Sequence, residues 1–224
     1  MASTLRLIRK QHEASNIWSF VFEPSQSLTW TAGQFIRVGL PHANPDSEGT
    51  QRSFTIASAP YERHIQISTR ITTSSFKQAL SSLAPGGTLN LLDPPAGDFI
   101  WPAGRPFVFV AQGIGITPFY SMVKQRLHEQ QPTDATLLYT NLTSDIPFQA
   151  ELERWSKHHA ELKIAHHQRP FTAADIARLA PHYREANIYV SGPGPLIELL
   201  LPPYNLPINQ LKQDTFPNYD VSAY

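Results

Sequence analysis

In the stretch 111–122, AQGIGITPFYSM, Gly113 and Gly115 begin a G-x-G-x-x-G spacing whose third position is Pro118. Two glycines let a backbone turn tightly and approach a pyrophosphate closely. Thr117 is a suitable helix N-cap, and Pro118 as the first helical residue forfeits no hydrogen bond. A helix starting there aims its free N–H groups at anionic oxygens. The apolar run 106–111 before the turn and the amphipathic stretch after it supply the strand and helix such a turn requires. The usual dinucleotide site puts an acidic residue on the ribose about 20 residues further on. Here Thr140, Asn141 and Leu142 close the next strand instead. The expected chemistry is therefore nucleotide phosphate binding, at a turn other than the standard one.

Other chemistries are narrowed by composition. The 224 residues contain no cysteine, which removes disulfides, thiol catalysis and thiolate-bound iron–sulfur clusters, so any electron transfer needs an organic cofactor. His158 with His159, and His166 with His167, are adjacent pairs that point to different faces of an element, unlike common metal-ligand spacings; no metal site is expected. Eighteen basic and eighteen acidic side chains balance, giving no bulk attraction for nucleic acid or anionic membrane. Neither a signal peptide nor a membrane span is recognisable, and a cytoplasmic location is the expectation.

The elements that position these residues follow two rhythms. Up to residue 102 the chain offers short strand-like runs: 4–10, 16–24, 34–41, 52–58, 64–70 and 88–95, broken by Pro, Gly and Ser. One helix interrupts them at 75–83, with Phe76, Leu80 and Leu83 on one face. Such a pattern predicts a small antiparallel barrel or sandwich. Residues 41–51, PHANPDSEGTQ, read as a mobile polar loop. From 105 onward strands alternate with helices: strands at 106–111, 136–140, 162–167 and 188–192, helices at 118–130, 147–159 and 172–180, and a last strand near 208–213. Thr172 with Asp175 is a capping signal for the third helix. The prediction is a β domain over 1–102 followed by a parallel α/β domain over 103–224, divided at WPAGRP (101–106).

Six motifs stand in order along nearly the whole chain: AGQF (32–35), RSFT (52–55), SSFKQAL (74–80), PPAGDF (94–99), GIGITPF (113–119) and SGPGPLI (191–197). Together they resemble the ferredoxin–NADP reductase superfamily of flavoenzymes. The resemblance implies an N-terminal flavin-binding antiparallel β-barrel and a C-terminal nucleotide-binding domain, with FAD and NADH or NADPH as cofactors. Within RSFT it implies that Arg52 binds FAD phosphate, that Phe54 lies beside the flavin, and that the Thr55 hydroxyl is a catalytic group bonding the ring near N5; Ser53 belongs to the same cofactor-binding motif. The residue types suit those tasks: guanidinium pairs with phosphate, aromatic faces stack, and a hydroxyl both donates and accepts.

By the same resemblance Thr69, Arg70, Ser74 and Ser75 are further FAD contacts, the serines also opening a helix. Gly113, Gly115, Thr117, Pro118 and Asn141 would hold the nicotinamide nucleotide, with Gly192 and Pro193 lining its reactive side. Gln112 stands where relatives often carry another glycine. Leu142 takes the place where NADPH users often supply an arginine, and the next cation along the chain is Arg154, which favours NADH. A C-terminal aromatic against the flavin is also implied; Phe216 and Tyr219, as catalytic groups, and Tyr224, as a cofactor contact, are the candidates.

The implied activity is hydride transfer from NAD(P)H to FAD and electron delivery to a separate acceptor: a ferredoxin, a flavodoxin, a quinone or another small molecule. A free-flavin reductase, and an electron-transfer or regulatory flavin subunit with impaired nicotinamide use, are the alternatives.

Overall fold

The computed structural model describes residues 3–104, 106–193 and 211–215. They divide into two compact units: the described residues up to Ile100 with Thr117–His128, and Trp101–Ile116 with the described residues from Glu129 onward.

The first unit is built on six strands: β1 (Thr4–Ala14), β2 (Ile17–Pro24), β3 (Phe35–Gly39), β4 (Gln51–Thr55), β5 (Ile65–Arg70) and β6 (Thr88–Leu91). They form an antiparallel sheet in the order β4-β3-β6-β1-β2-β5. An isolated bridge from Ile56 to Ile67 joins the two outer strands, bringing the sheet round on itself. Register shifts in the β1/β2 pair, between Leu7 and Arg9 and between His12 and Ala14, add the local bending that such curling needs. Alternate residues Leu5 and Leu7, Phe20 and Phe22, Ile36 and Val38, Ile65 and Ile67 point inward to one core, which helix α1 (Ser75–Ser82) closes with Phe76 and Leu80.

Helix α2 (Thr117–His128) is counted with this unit, and the reason is specific pairing. Ser121 Oγ donates to the Ser58 carbonyl at 2.7 Å, Lys124 Nζ lies 2.5 Å from Glu62 Oε1, and His128 stacks on Tyr61 at 3.9 Å.

The second unit carries five parallel strands: β7 (Phe107–Gln112), β8 (Ala135–Thr140), β9 (Leu162–His167), β10 (Asn187–Gly192) and β11 (Leu211–Thr215), in the order β11-β10-β7-β8-β9. Strands β7 and β8 are buried along almost every residue, as a sheet covered on both faces requires. Val108, Val110, Leu138, Ile188 and Val190 pack with Phe171 and Ile176 on one side. Helices α3 (Gln149–His158) and α4 (Ala173–Leu179) follow β8 and β9. The predicted cap of α4 forms: Thr172 Oγ1 accepts from the Asp175 N–H at 3.2 Å, and Asp175 Oδ2 accepts from the Thr172 N–H at 3.0 Å.

From β7 the chain moves outward to β8 and β9, then returns to place β10 on the other side of β7. This reversal opens a crevice at the carboxyl ends of β7 and β10, the position at which parallel sheets bind ligands. Among the described residues no helix is long and apolar enough to cross a membrane.

Candidate functional site

On β4 the side chains alternate, so Arg52 and Phe54 share the face turned to α1, while Ser53 is exposed on the other and Thr55, beyond it, is buried. Phe54 packs against Phe76 with ring centroids 5.9 Å apart, and the Arg52 guanidinium stands 5.3 Å over the same Phe76 ring. The guanidinium, its side chain only 14 % exposed, is densely engaged. Nη1 donates to the carbonyls of Glu48 (2.9 Å), Gly49 (3.1 Å) and Gln51 (2.7 Å). Nη2 reaches Asp46 Oδ1 (3.1 Å), Ser74 Oγ (3.2 Å) and Glu48 Oε2 (2.8 Å).

Ser74 precedes α1 but its side chain caps no helical N–H. The first helical N–H, of Ser75, instead donates to Asp46 Oδ2 at 2.8 Å, and Ser75 Oγ accepts from the Asp46 N–H at 2.9 Å. His42 completes the cluster, with Nδ1 at 2.7 Å from the Leu40 carbonyl, to which it donates, and Nε2 at 2.9 Å from Ser75 Oγ. Residues 41–51, expected to be a mobile loop, are thus tied to α1 and β4 through Asp46. A carboxylate one step from a free helix end and a guanidinium is electrostatically well placed, and this local order has no counterpart in a composition-based reading.

The Ser75 N–H above all, then the other donors around it, holds the Asp46 carboxyl down to about 2, against 3.8 ordinarily. A carboxyl depressed in the folded state adds stability that is full above its unfolded value and is lost as pH falls through the folded one. Denaturant melts from about pH 5 to about pH 2 are therefore expected to show wild type losing stability across that window more steeply than Asp46→Asn. Identical pH profiles would remove Asp46 from this account.

In the second unit residues Gly113–Ile116 form a 3₁₀ turn that runs directly into α2, so Thr117 is the first helical residue rather than the N-cap predicted. Gly113 has φ 55°, and its carbonyl accepts from the buried Tyr139 hydroxyl at 3.0 Å, which pins the turn to β8. Gly115 lies flush on β10: a Cβ there would stand 2.3 Å from the Ser191 carbonyl oxygen. The two predicted segments GIG and SGP are therefore in direct contact at the crevice.

Four buried side-chain atoms without a hydrogen-bond partner end the neighbouring strands: Ser191 Oγ on β10, Asn141 Oδ1 after β8, and His166 Nε2 and His167 Nδ1 on β9. Buried polar groups are rarely left unpaired, so an edge with four of them invites a polar ligand. The Asn141 amide nitrogen meanwhile holds the 141–145 turn through Thr143 and Asp145. The adjacent histidines do diverge: His166 meets Tyr139 at 5.7 Å and His167 stacks on Phe171 at 4.4 Å. Burial, with the neighbouring His167, lowers the His166 pKa.

Residues 109–200 match the family model described as an oxidoreductase NAD-binding domain. Flavohemoprotein A of Dictyostelium discoideum is 29 % identical over 170 residues, covering 66 % of this chain and 42 % of that one. The flavohemoglobin-like FAD/NAD-binding domain of a nitric oxide dioxygenase from Vibrio cholerae superposes with TM-score 0.78 at 20 % identity, over 96 % of this chain and 98 % of that one. A ferredoxin NADP+ reductase from Neisseria gonorrhoeae, with bound FAD and NADP, superposes with TM-score 0.72 at 16 % identity, over 96 % and 99 %. The chain thus shares its fold with these two structures, and residues 109–200 are similar to an oxidoreductase NAD-binding domain. The chain spans half or less of the length of the curated relatives it matches.

Among the residues predicted from that resemblance, the structure brings together Arg52, Ser74 and Ser75, and separately Gly113, Gly115 and Gly192. Arg70 is not joined to the first group by these contacts; it is buried at the end of β5, where Nη1 donates to Asn16 Oδ1 at 2.6 Å. Thr69, also buried, turns its hydroxyl to the Arg70 carbonyl at 3.4 Å. Pro118 is buried in the first turn of α2, and Pro193 is buried after β10. Phe216, Tyr219 and Tyr224 lie outside the described residues.

Sequence reasoning missed Asp46, Glu48, His42 and Tyr139, and it missed Lys77, on the α1 turn next to Arg52 and Glu48, whose pKa burial lowers. Only the acidic residues of a loop preceding RSFT hinted at any of them. Among the described residues no three His, Asp or Glu side chains are grouped to hold a metal.

Proposed function

We propose that this chain is an FAD-dependent NAD(P)H oxidoreductase that passes electrons on to a separate acceptor: a ferredoxin, a flavodoxin, a quinone or another small molecule. What supports the reading is the occurrence in one chain of two differently built clusters, each suited to a phosphate. One consists of Arg52, Ser74, Ser75 and the start of α1; the other is the glycine turn at the sheet's carboxyl edge. The first fits a diphosphate because an anion, the Asp46 carboxylate, already takes the Ser75 N–H and the Arg52 guanidinium there. The second fits a nucleotide because Gly115 lets the turn close directly onto the end of β10 and because unpaired polar atoms line the same edge.

Bound there, the flavin would supply what no side chain in the sequence can, accepting hydride from the nicotinamide and releasing electrons singly. The protein's part is to hold and orient. Arg52 neutralises diphosphate charge, Ser75 donates its N–H, and Phe54 gives the ring an apolar flank. Thr55, 7 % exposed at the end of β4, offers a hydroxyl sheltered from solvent to the ring's hydrogen-bonding edge. Pro193 and Gly192 shape the nicotinamide side.

NADH is the proposed donor. Leu142, exposed after β8, offers no charge to a 2′-phosphate. Parallel pairing with β9 does bring a cation that the linear reading overlooked, since Thr140 Oγ1 lies 3.4 Å from the Arg169 carbonyl. The Arg169 guanidinium, however, is committed to Asp175 Oδ2 and Oδ1 at 2.7 and 3.2 Å. A 2′-phosphate there would have to displace Asp175, which offsets the charged hydrogen bond it gains, so kcat/KM for NADH should exceed that for NADPH by about tenfold.

Anaerobic mixing of the FAD-loaded protein with each nucleotide tests both statements. Bleaching of the flavin band is expected, faster with NADH; no bleaching by either nucleotide would overturn the oxidoreductase reading, and a preference for NADPH would overturn the donor assignment.

The free-flavin reductase reading gains from one observation, the prior pairing of Arg52 with Asp46 and Glu48, which weakens the hold on FAD. Protein that purifies colourless yet reduces added flavin would favour it.

A further inference from the structure

Resting on the FAD reading of the Arg52 cradle, we propose that Asp46 is an internal anion that occupies the diphosphate position and must leave before the flavin is held, so that loop 41–51 sets how tightly FAD is retained.

The geometry is that of substitution rather than support. A diphosphate needs the Arg52 guanidinium and the Ser75 N–H, and Asp46 uses both, one with each carboxylate oxygen, at 3.1 and 2.8 Å. Glu48 adds a second carboxylate at 2.8 Å from the same Nη2. An incoming dianion would meet like charge and a cation already neutralised. The carboxylates are about a third exposed, 31 % and 34 % for the two side chains, so they have room to swing into solvent.

Asp46 also has a task when no flavin is bound. Ser74 fails to cap α1 with its side chain, and Asp46 satisfies the first helical N–H in its place. It also keeps Arg52 beside Ser74, so the cradle is assembled in advance. The consequence for affinity is arithmetic: when only a fraction of molecules have the cradle open, the apparent affinity falls by that fraction. A carboxylate at 46 therefore stabilises the empty protein and loosens the flavin, two effects of opposite sign from one side chain.

Asp46→Asn separates them, because asparagine still caps a helix while carrying no charge. Fluorescence titration of flavin-free protein should show the variant binding FAD about tenfold more tightly than wild type, the scale of one charge-assisted contact no longer competing. Riboflavin, which has the ring and no phosphate, should bind both proteins equally. In wild type, FAD should speed amide exchange in residues 46–49, because the Glu48 N–H loses its bond to Asp46 Oδ1; this measurement needs no variant and stands if Asp46→Asn folds poorly.

Unchanged or weaker FAD binding by the variant, an equal gain for riboflavin, or unaltered loop exchange in wild type would each overturn the proposal. Wild type that binds no FAD at all would instead overturn the functional reading on which it rests.

Discussion

Arg52→Ala is expected to weaken FAD binding by roughly 10- to 100-fold, the loss of hydrogen bonds from a charged group to a charged ligand. The substitution also leaves Asp46 and Glu48 without their cation, adding uncompensated negative charge near an incoming diphosphate, so the larger end of the range is favoured at low salt, where exposed charges are less screened. Arg52→Lys should fall between, since an ammonium keeps the charge but cannot engage two oxygens in a fixed fork. Because Arg52 also covers Phe76, part of the effect of alanine is on packing; urea midpoints of the flavin-free proteins separate that part. Unchanged FAD affinity in Arg52→Ala would remove the residue from the diphosphate site. Combined with Asp46→Asn, its effect should be non-additive, because the two side chains act on the same anion position.

The sequence made the second unit legible for a physical reason. A sheet covered on both faces writes itself as continuous apolar runs, as at PFVFVA, and each helix writes a stripe and sometimes a cap, as at Thr172 and Asp175. The first unit was legible as strands through the alternation of Ile65, Ile67 and Thr69. Their order in the sheet was not, because β6 reaches its place between β3 and β1 through pairings remote in sequence. RSFT and GIGITP could be recognised as motifs because each is a short run of consecutive residues. Asp46 could not: its partners Arg52 and Ser75 lie 6 and 29 positions away, and only the folding of loop 41–51 onto α1 joins them. Arg70 is a further case: the pairing of β2 with β5 sets it beside Asn16, a contact between residues 54 positions apart that no local pattern announces.

Gly115→Val is expected to lower kcat/KM for the nicotinamide nucleotide by about 100-fold or more, the scale associated with an ångström of misplacement at a reacting site, while leaving FAD affinity unchanged. The cause is backbone, not side chain. A Cβ at 115 would meet the Ser191 carbonyl oxygen at 2.3 Å and its carbon at 2.7 Å, and no rotamer relieves a contact with the main chain of β10. Either the turn or the strand end must move, and each carries part of the proposed nucleotide site. Alanine already brings that Cβ, so Gly115→Ala should be nearly as damaging as valine. If the glycine served only to leave room for the ligand's phosphates, the loss would instead grow with side-chain size, small for alanine and large for valine. Steady-state kinetics on the two variants, with FAD content measured on the same preparations, distinguish these cases. A parallel loss of FAD would show that the substitution acts on folding of the whole chain, since the proposed FAD cradle is made by residues of the other unit.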